Sequence, residues 1–283
     1  YRNADQTDKI HAAIEKLASG ETSYKVDVND FSSLEAELAE GLNRISDGLE
    51  TALAEQVKSE RLKADLITNV SHDIKTPLTS IINYVDLIKR QHIEDPTVQK
   101  YLEVLDQKSQ RLKTLTEDLV EASRASSGNI KLEITNIDFV ELVQQTTGEF
   151  EEKYAIRHLE IVNTLPNEVI MIEADGRRLW RVLENLYNNA FKYALEGTRV
   201  YVTIEDHGAD VVFTIKNVSA NPLNISPDEL TERFVRGDVS RTTEGSGLGL
   251  SIAKDLTTLQ GGKFELIIDG DLFKAQITFP IKN

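Results

Sequence analysis

Residues 67–88 read ITNVSHDIKTPLTSIINYVDLI. Ile67, Ile74, Ile81 and Ile88 stand seven apart, with Val70, Pro77 and Tyr84 between them at steps of three and four. That rhythm is the period of an amphipathic helix whose apolar stripe seeks another helix. With Ile67 and Ile74 at heptad position a and Val70 at d, His72 falls at f, the position farthest from the seam. The segment Gln91-His92-Ile93-Glu94-Asp95-Pro96 breaks the pattern. A second helical run follows with Val98, Tyr101, Leu105, Lys108, Leu112, Leu115, Leu119 and Ala122, and only Lys108 interrupts its seam. Two such helices joined by a short loop predict an antiparallel hairpin. One hairpin buries a two-sided seam poorly, so the expectation is a homodimer in which two hairpins form a four-helix bundle.

Residues 1–20 read as a short helix ending at Gly20, and residues 21–32 as extended or irregular. From Ser33 a helical pattern runs through Leu34, Leu38, Leu42, Ile45, Leu49, Leu53 and Val57, coiled-coil-like at first and then stutter-like. After Ser126-Ser127-Gly128 short β-rich runs alternate with helices. Strands are predicted at 131–135, 159–163, 169–172, 199–205, 211–216, 263–268 and 273–279, and helices at 138–154, 176–193 and 249–260. Gly270 and Asp271 suit a hairpin turn. The expected fold class is multidomain, α plus α/β: a helical hairpin followed by an α/β sandwich of about 150 residues. The expected domains are 1–57, 58–127 and 128–283.

The formal net charge of -15 speaks against a nucleic-acid-binding face and, more weakly, against docking on an anionic membrane. The absence of cysteine excludes disulfides and thiolate metal sites. No apolar run approaches the ~18 residues of a membrane span. The chain begins at Tyr1 and its only methionine is Met171, so a fragment is expected, with a membrane segment upstream of a cytoplasmic portion.

Three clusters carry candidate chemistry. Asp73 follows His72, and a carboxylate on one imidazole nitrogen fixes the tautomer and makes the other nitrogen more nucleophilic. Thr76 lies one turn on and shares the face of His72, and Pro77 removes a backbone donor there. An ordinary exposed histidine fits the periodicity equally well. On the helix 176–193, Asn185, Asn189 and Lys192 share one face. Amide oxygens suit Mg²⁺ and lysine suits a phosphate, although a solvated polar face fits the same spacing. Gly245-Ser246-Gly247-Leu248-Gly249 opens the next helix, where small residues and a helix N-terminus favour an anion. It is neither a dinucleotide fingerprint, since no clear strand feeds it, nor a P-loop, since it has no Gly-Lys-Ser/Thr.

The string Asn69-Val-Ser-His72-Asp73-Ile-Lys-Thr76-Pro77-Leu78 resembles the H-box of sensor histidine kinases. Glu184-Asn185-Leu-Tyr-Asn188-Asn189-Ala-Phe-Lys192-Tyr193 resembles their N-box, Glu232-Arg233-Phe234-Val235-Arg236-Gly237-Asp238 their phenylalanine box, and Gly245–Leu250 their second glycine box. The resemblance covers about residues 57–283. It implies that His72 accepts phosphate from ATP, with Asp73 as its base, and that Thr76 positions water for dephosphorylating a response regulator. It further implies Asn189 on Mg²⁺, Asn185 and Lys192 facing the phosphates, Tyr193 and Phe234 near the nucleotide, Gly245, Gly247, Leu248 and Gly249 at the phosphate turn, and Arg236 assisting transfer. The partners implied are a second copy and a receiver domain. One departure stands out. The family's Asp-x-Gly-x-Gly is here Asn217-Val218-Ser219-Ala220-Asn221, with Asn217 at the aspartate that reads adenine and both glycines absent. That change favours a rival class, a nucleotide-binding scaffold with weak or no kinase activity; intact His72 and Asn189 oppose it. Residues 5–57 resemble more weakly a HAMP signalling linker, and a plain coiled coil fits them equally.

Overall fold

A computed structural model describes residues 2–31, 33–91, 93–128, 130–232 and 246–282; the chain divides into Tyr1–Asp65 and Leu66–Asn283. Phe234, Arg236 and Gly245 lie outside the described residues.

In the first unit, helix α1 (Arg2–Ala18) leads into a connector holding one 3-10 turn (Val28–Asp30), and α2 (Ser33–Lys89) begins. The connector lies along α2, because its own polar groups are satisfied there. Asn43 donates to the Val26 carbonyl and accepts from the Val26 amide, both at 2.9 Å. The Ser46 hydroxyl donates to the carbonyls of Thr22 and Tyr24. Ala13, Val26 and Ala39 form the small core, with Tyr24, Phe31 and Leu42 packed on it. Leu38, Ile45, Leu49, Leu53 and Val57 stay exposed. The pattern predicted two successive helices over 33–89, but α2 is one helix of 57 residues. Strong helix formers fill 50–66, and neither glycine nor an earlier proline offers a stop.

In the second unit, α2 and α3 (Pro96–Ser126) form the hairpin arms. Asp95 caps α3 by accepting from the amides of Thr97 and Val98, with Pro96 in the first turn. Lys89 pairs with Asp106 at 2.6 Å across the loop end. The stripe this single chain buries is Ser71, Leu78 and Val85 on α2 and Leu102, Ser109, Thr116 and Ser123 on α3. These are the e positions of the heptad frame. The predicted seam through Val70, Ile74, Ile81, Ile88, Tyr101, Leu105 and Leu112 is exposed.

The α/β part runs β1 (Thr135–Asp138), α4 (Phe139–Ala155), β2 (Glu160–Thr164), β3 (Met171–Ala174), α5 (Gly176–Tyr193), β4 (Arg199–Asp206), β5 (Asp210–Val218), α6 (Pro227–Thr231), α7 (Gly249–Leu259), β6 (Lys263–Asp269) and β7 (Leu272–Pro280). The main sheet has order β2-β4-β5-β7-β6, parallel only at β2-β4, and β1 pairs antiparallel with β3 in a small second sheet. Residues 131–134, predicted as strand, do not form one; pairing starts at Thr135 against Ala174. Helix α6 was not predicted; it rests on a capping box between Ser226 and Glu229. Val200, Val202, Phe213, Ile215, Ala275 and Ile277 of the sheet share one core with Phe139, Leu183, Leu186 and Ile252 of the helices. Helices α4 and α7 both pack against α5, and α3 packs against α7, so α5 sits at the centre of the helical layer. Among the described residues no helix is long and apolar enough to cross a membrane.

Candidate active site

Helix α5 is held at both ends and in the middle. Asp175 caps its start by accepting from the Arg178 amide, and its second oxygen accepts from the Glu133 amide. The Gln260 side chain in turn accepts from the Asp175 amide at 2.8 Å. At mid-helix the Tyr154 hydroxyl donates to the Tyr187 carbonyl, and Thr147 and Tyr187 share a 2.6 Å hydroxyl contact. Burial pushes the pKa of both phenols well above their ordinary value, so they act as neutral hydrogen-bonding pins. At the C-terminus Arg157 donates to the carbonyls of Phe191, Lys192 and Ala194, complementing the negative end of the helix.

Beside α5 lies a cavity of about 360 Å³. It gathers Asn185, Asn189, Lys192, Tyr193, Asn217, Gly247 and Gly249, residues that span sequence positions 185–249. Gly247 has φ +68, a backbone that L side chains rarely adopt. A Cβ at Gly249 would meet the Asn185 side-chain oxygen at 3.3 Å, so glycine here lets α7 start close against α5. Leu248 does not line the cavity; it is buried beneath the turn as the N-cap residue of α7.

Two amides in this wall each have one atom without a partner. Asn217 sits in β5, 2% exposed, and its Nδ2 donates 3.2 Å to the Val218 carbonyl. That bond sets the amide's orientation, since the flipped form would face oxygen to oxygen. Its Oδ1 is buried and unpartnered, as is Nδ2 of Asn185. Buried amide atoms left open cost about 1–3 kcal/mol each, so both amides are incompletely satisfied where they stand. The missing glycines after Asn217 leave the backbone ordinary: none of residues 217–223 has positive φ. The loop is stitched by the Ala220 amide to the Tyr193 carbonyl and by the Ser219 amide to the Asp271 carbonyl. Asn189 half faces the cavity, and its side chain has no hydrogen-bond partner among the described residues. An amide oxygen at this place is of the type that suits Mg²⁺.

On the hairpin, His72 and Asp73 are 81% and 86% exposed, and His72 Nδ1 lies 3.7 Å from Asp73 Oδ1. That separation is longer than a hydrogen bond, and it places the carboxylate on the Nδ1 side of the ring. The Thr76 hydroxyl reaches back to the His72 carbonyl at 3.4 Å, so it shares that face. None of the three lines the cavity.

Two family models match the chain. Residues 62–128 match the His Kinase A (phospho-acceptor) domain, and residues 174–282 match the histidine kinase-, DNA gyrase B- and HSP90-like ATPase. The second alone is shared with other ATPases; the pair, in this order, decides. The chain belongs to the sensor histidine kinases. Among curated relatives, the sensor histidine kinase WalK of Bacillus subtilis is 28% identical over 237 residues, 82% of this chain and 39% of WalK. The chain thus spans about two-fifths of that relative's length. Among solved structures, full-length ShkA in complex with AMPPNP superposes with TM-score 0.67 at 23% identity, covering 77% of this chain and 46% of ShkA. Histidine kinase ThkA in complex with the response regulator TrrA superposes with TM-score 0.53 at 24% identity, covering 82% of this chain and 67% of ThkA. At these identities the structures show the shared fold.

Several cavity residues of this histidine kinase lie outside every motif read from the sequence. Thr114 and Asp118 of α3 and Lys153 of α4 join the lining. Asp118 accepts from Arg181 at 2.5 Å and from the Ser246 hydroxyl at 3.1 Å, tying the hairpin to the glycine-rich turn. Glu121 accepts from Arg178 and Arg181 at 3.0 and 2.8 Å, and Glu184 from Arg181 at 2.5 Å. Burial works against the Arg181 charge, but the hydrogen bonds with Glu121 and Glu184 outweigh it and raise its pKa. Nothing local in 111–124 distinguishes Asp118 from any other acid on a solvated face; only the docked α5 does.

Proposed function

We propose that this chain is the kinase core of a sensor: ATP binds in the cavity beside α5 and its γ-phosphate passes to His72. The observation that carries the reading is one chain holding both an exposed His72–Asp73 pair and a cavity with an unpartnered Asn217 oxygen. That oxygen suits the amino group of adenine, which guanine replaces with an acceptor. In the transfer, His72 Nε2 attacks the γ-phosphorus, the bond to the β–γ bridging oxygen breaks, and ADP departs. Asp73 steadies the Nδ1–H and the positive charge that develops on the ring. The exposed acceptor lies outside the cavity, so the α/β part must move to present the phosphate, and catalysis rests on positioning and charge neutralisation. Asn189 would hold Mg²⁺, which neutralises phosphate charge; Asn185, Lys192, Gly247 and Gly249 would surround the phosphates and Tyr193 would lie near the nucleotide, with Phe234, Arg236 and Gly245 contributing from the segment before α7.

The phosphohistidine would then pass its phosphoryl group to an aspartate of a receiver domain, as the ThkA–TrrA pairing suggests by analogy, and Thr76 would orient water for the reverse signal. The exposed stripe Ile74, Ile81, Ile88, Leu105 and Leu112 supports a homodimer closed by a four-helix bundle. Residues 1–57 would be a HAMP-like linker relaying a signal into α2, and membrane attachment through further sequence belongs to the same reading. The neutral Asn217 favours a second reading, a nucleotide-binding scaffold. Incubation with γ-labelled ATP tests both. Acid-labile, base-stable label on the wild type and none on His72→Gln supports the kinase; equal label on both proteins overturns His72, and ATP binding without label leaves the scaffold.

A further inference from the structure

Lys153 belongs to no motif, yet it lines the cavity with Asn188, Asn189 and Lys192. It lies 5.1 Å from the centre of the Phe150 ring and 4.8 Å from that of Phe191. Its hydrogen bond goes to a neutral acceptor, Asn188 Oδ1, at 2.6 Å. Among the described residues no carboxylate pairs with it. Glu184, whose charge acts on it, is itself bonded to Arg181 at 2.5 Å. Burial pushes its pKa down, and Glu184 opposes that only in part. A half-buried cation over two aromatic faces, with no counter-ion, is an incomplete arrangement. Lysines that merely cover apolar surface carry the ammonium out to water; this one lines the cavity and its ammonium is steadied by Asn188.

We propose that Lys153 is a phosphate-binding residue of the nucleotide site, a second cation set opposite the charge of the triphosphate from α4, and that it helps discriminate ATP from nucleotides with fewer phosphates. The proposal rests on the nucleotide reading above and adds a residue to it. The phosphate chain carries most of the negative charge any adenine nucleotide brings, and Lys153 is bonded to Asn188, beside Asn189 on α5, in the cavity that Lys192 also lines. A charge-assisted hydrogen bond at this place strengthens with each phosphate the ligand adds.

Calorimetric titration of the whole chain with ATP, ADP and AMP tests this in wild type, Lys153→Met and Lys153→Arg. Methionine keeps the length and the aromatic contact and removes the charge. The expected result for Lys153→Met is ATP affinity lower by about tenfold, a smaller loss for ADP, little change for AMP, and recovery of most of the ATP loss in Lys153→Arg. The nucleotide-free thermal midpoint of Lys153→Met should be unchanged or higher, because a desolvated charge is gone. Equal losses for all three nucleotides, or a lowered nucleotide-free midpoint with unchanged selectivity, would make Lys153 a structural residue and overturn the inference. Wild-type affinity for ATP in Lys153→Met would overturn it while leaving the nucleotide reading intact. A wild type that binds none of the three overturns both.

Discussion

Exchanging Asn217 for aspartate changes one atom's chemistry at almost constant shape, and the surroundings make its two consequences separable. Asn217 is 2% exposed, donates from Nδ2 to the Val218 carbonyl at 3.2 Å, and leaves Oδ1 unpartnered. In the nucleotide-free protein a carboxylate loses the Val218 bond and sets oxygen against oxygen, on top of being desolvated. Leaving buried polar groups unsatisfied costs about 1–3 kcal/mol, so the variant should lose about 2 kcal/mol, or roughly 4–8 °C in Tm for a unit of this size. Desolvation raises an acid's pKa, so the folded state holds the proton more tightly than the unfolded chain. Stability of the variant then falls as pH rises from the ordinary aspartate range through the raised value. Below that window the protonated carboxyl can donate to Val218, and the deficit closes. Binding reads the other consequence. A hydrogen bond to the adenine amino group is worth about 0.5–1.5 kcal/mol to a neutral acceptor and about 1.5–3 to a charged one. The gain of about 1 kcal/mol is roughly fivefold in ATP affinity. GTP presents an acceptor at the same place and should bind the variant more weakly than it binds wild type. Titration calorimetry with both nucleotides, beside thermal melts at pH 5 and pH 8, measures each part. If neither affinity moves while Tm falls, Asn217 is a strand residue that does not touch the base, and the adenine assignment is wrong.

Three further outcomes follow from other contacts. Thr76→Ala should autophosphorylate normally but dephosphorylate a phosphorylated regulator roughly tenfold or more slowly, measured by loss of label from the regulator; an unchanged rate removes Thr76 from that step. Arg181→Ala leaves Asp118, Glu121 and Glu184 without the guanidinium that joins them, and should cost about 3 kcal/mol, read as a lower Tm; a shift under a degree means the cluster is solvent-screened. Ile81→Glu places a charge on the exposed stripe of the hairpin, and should raise the dimer dissociation constant on the order of a hundredfold in sedimentation equilibrium while helicity persists; a dimer of unchanged strength locates the interface elsewhere.

The local code of this chain was legible where one residue's neighbours in sequence are also its neighbours in space. Helix α5 runs Gly176–Tyr193 as predicted, because Asp175 caps it through the Arg178 amide and its apolar residues recur at helical spacing. The outward placement of His72 followed from the isoleucines seven apart, and the Asn185–Asn189–Lys192 face from their steps of four and three. Periodicity measures the angle around a helix and says nothing of what lies at that angle. It could not tell that the single chain buries Ser71, Leu78 and Val85 while Ile74 and Ile81 stay exposed. Nor could it single out Asp118, whose partner Arg181 is 63 residues away, or Lys153, steadied by Asn188 across 35 residues. Those charges look like any solvated helix face until α3, α4 and α5 are brought together, since a long-range contact leaves no spacing in the sequence on either side. Asn217 was readable only by residue type: that its Nδ2 goes to Val218 and its Oδ1 ends buried without a partner follows from the enclosure of β5 between β4 and β7.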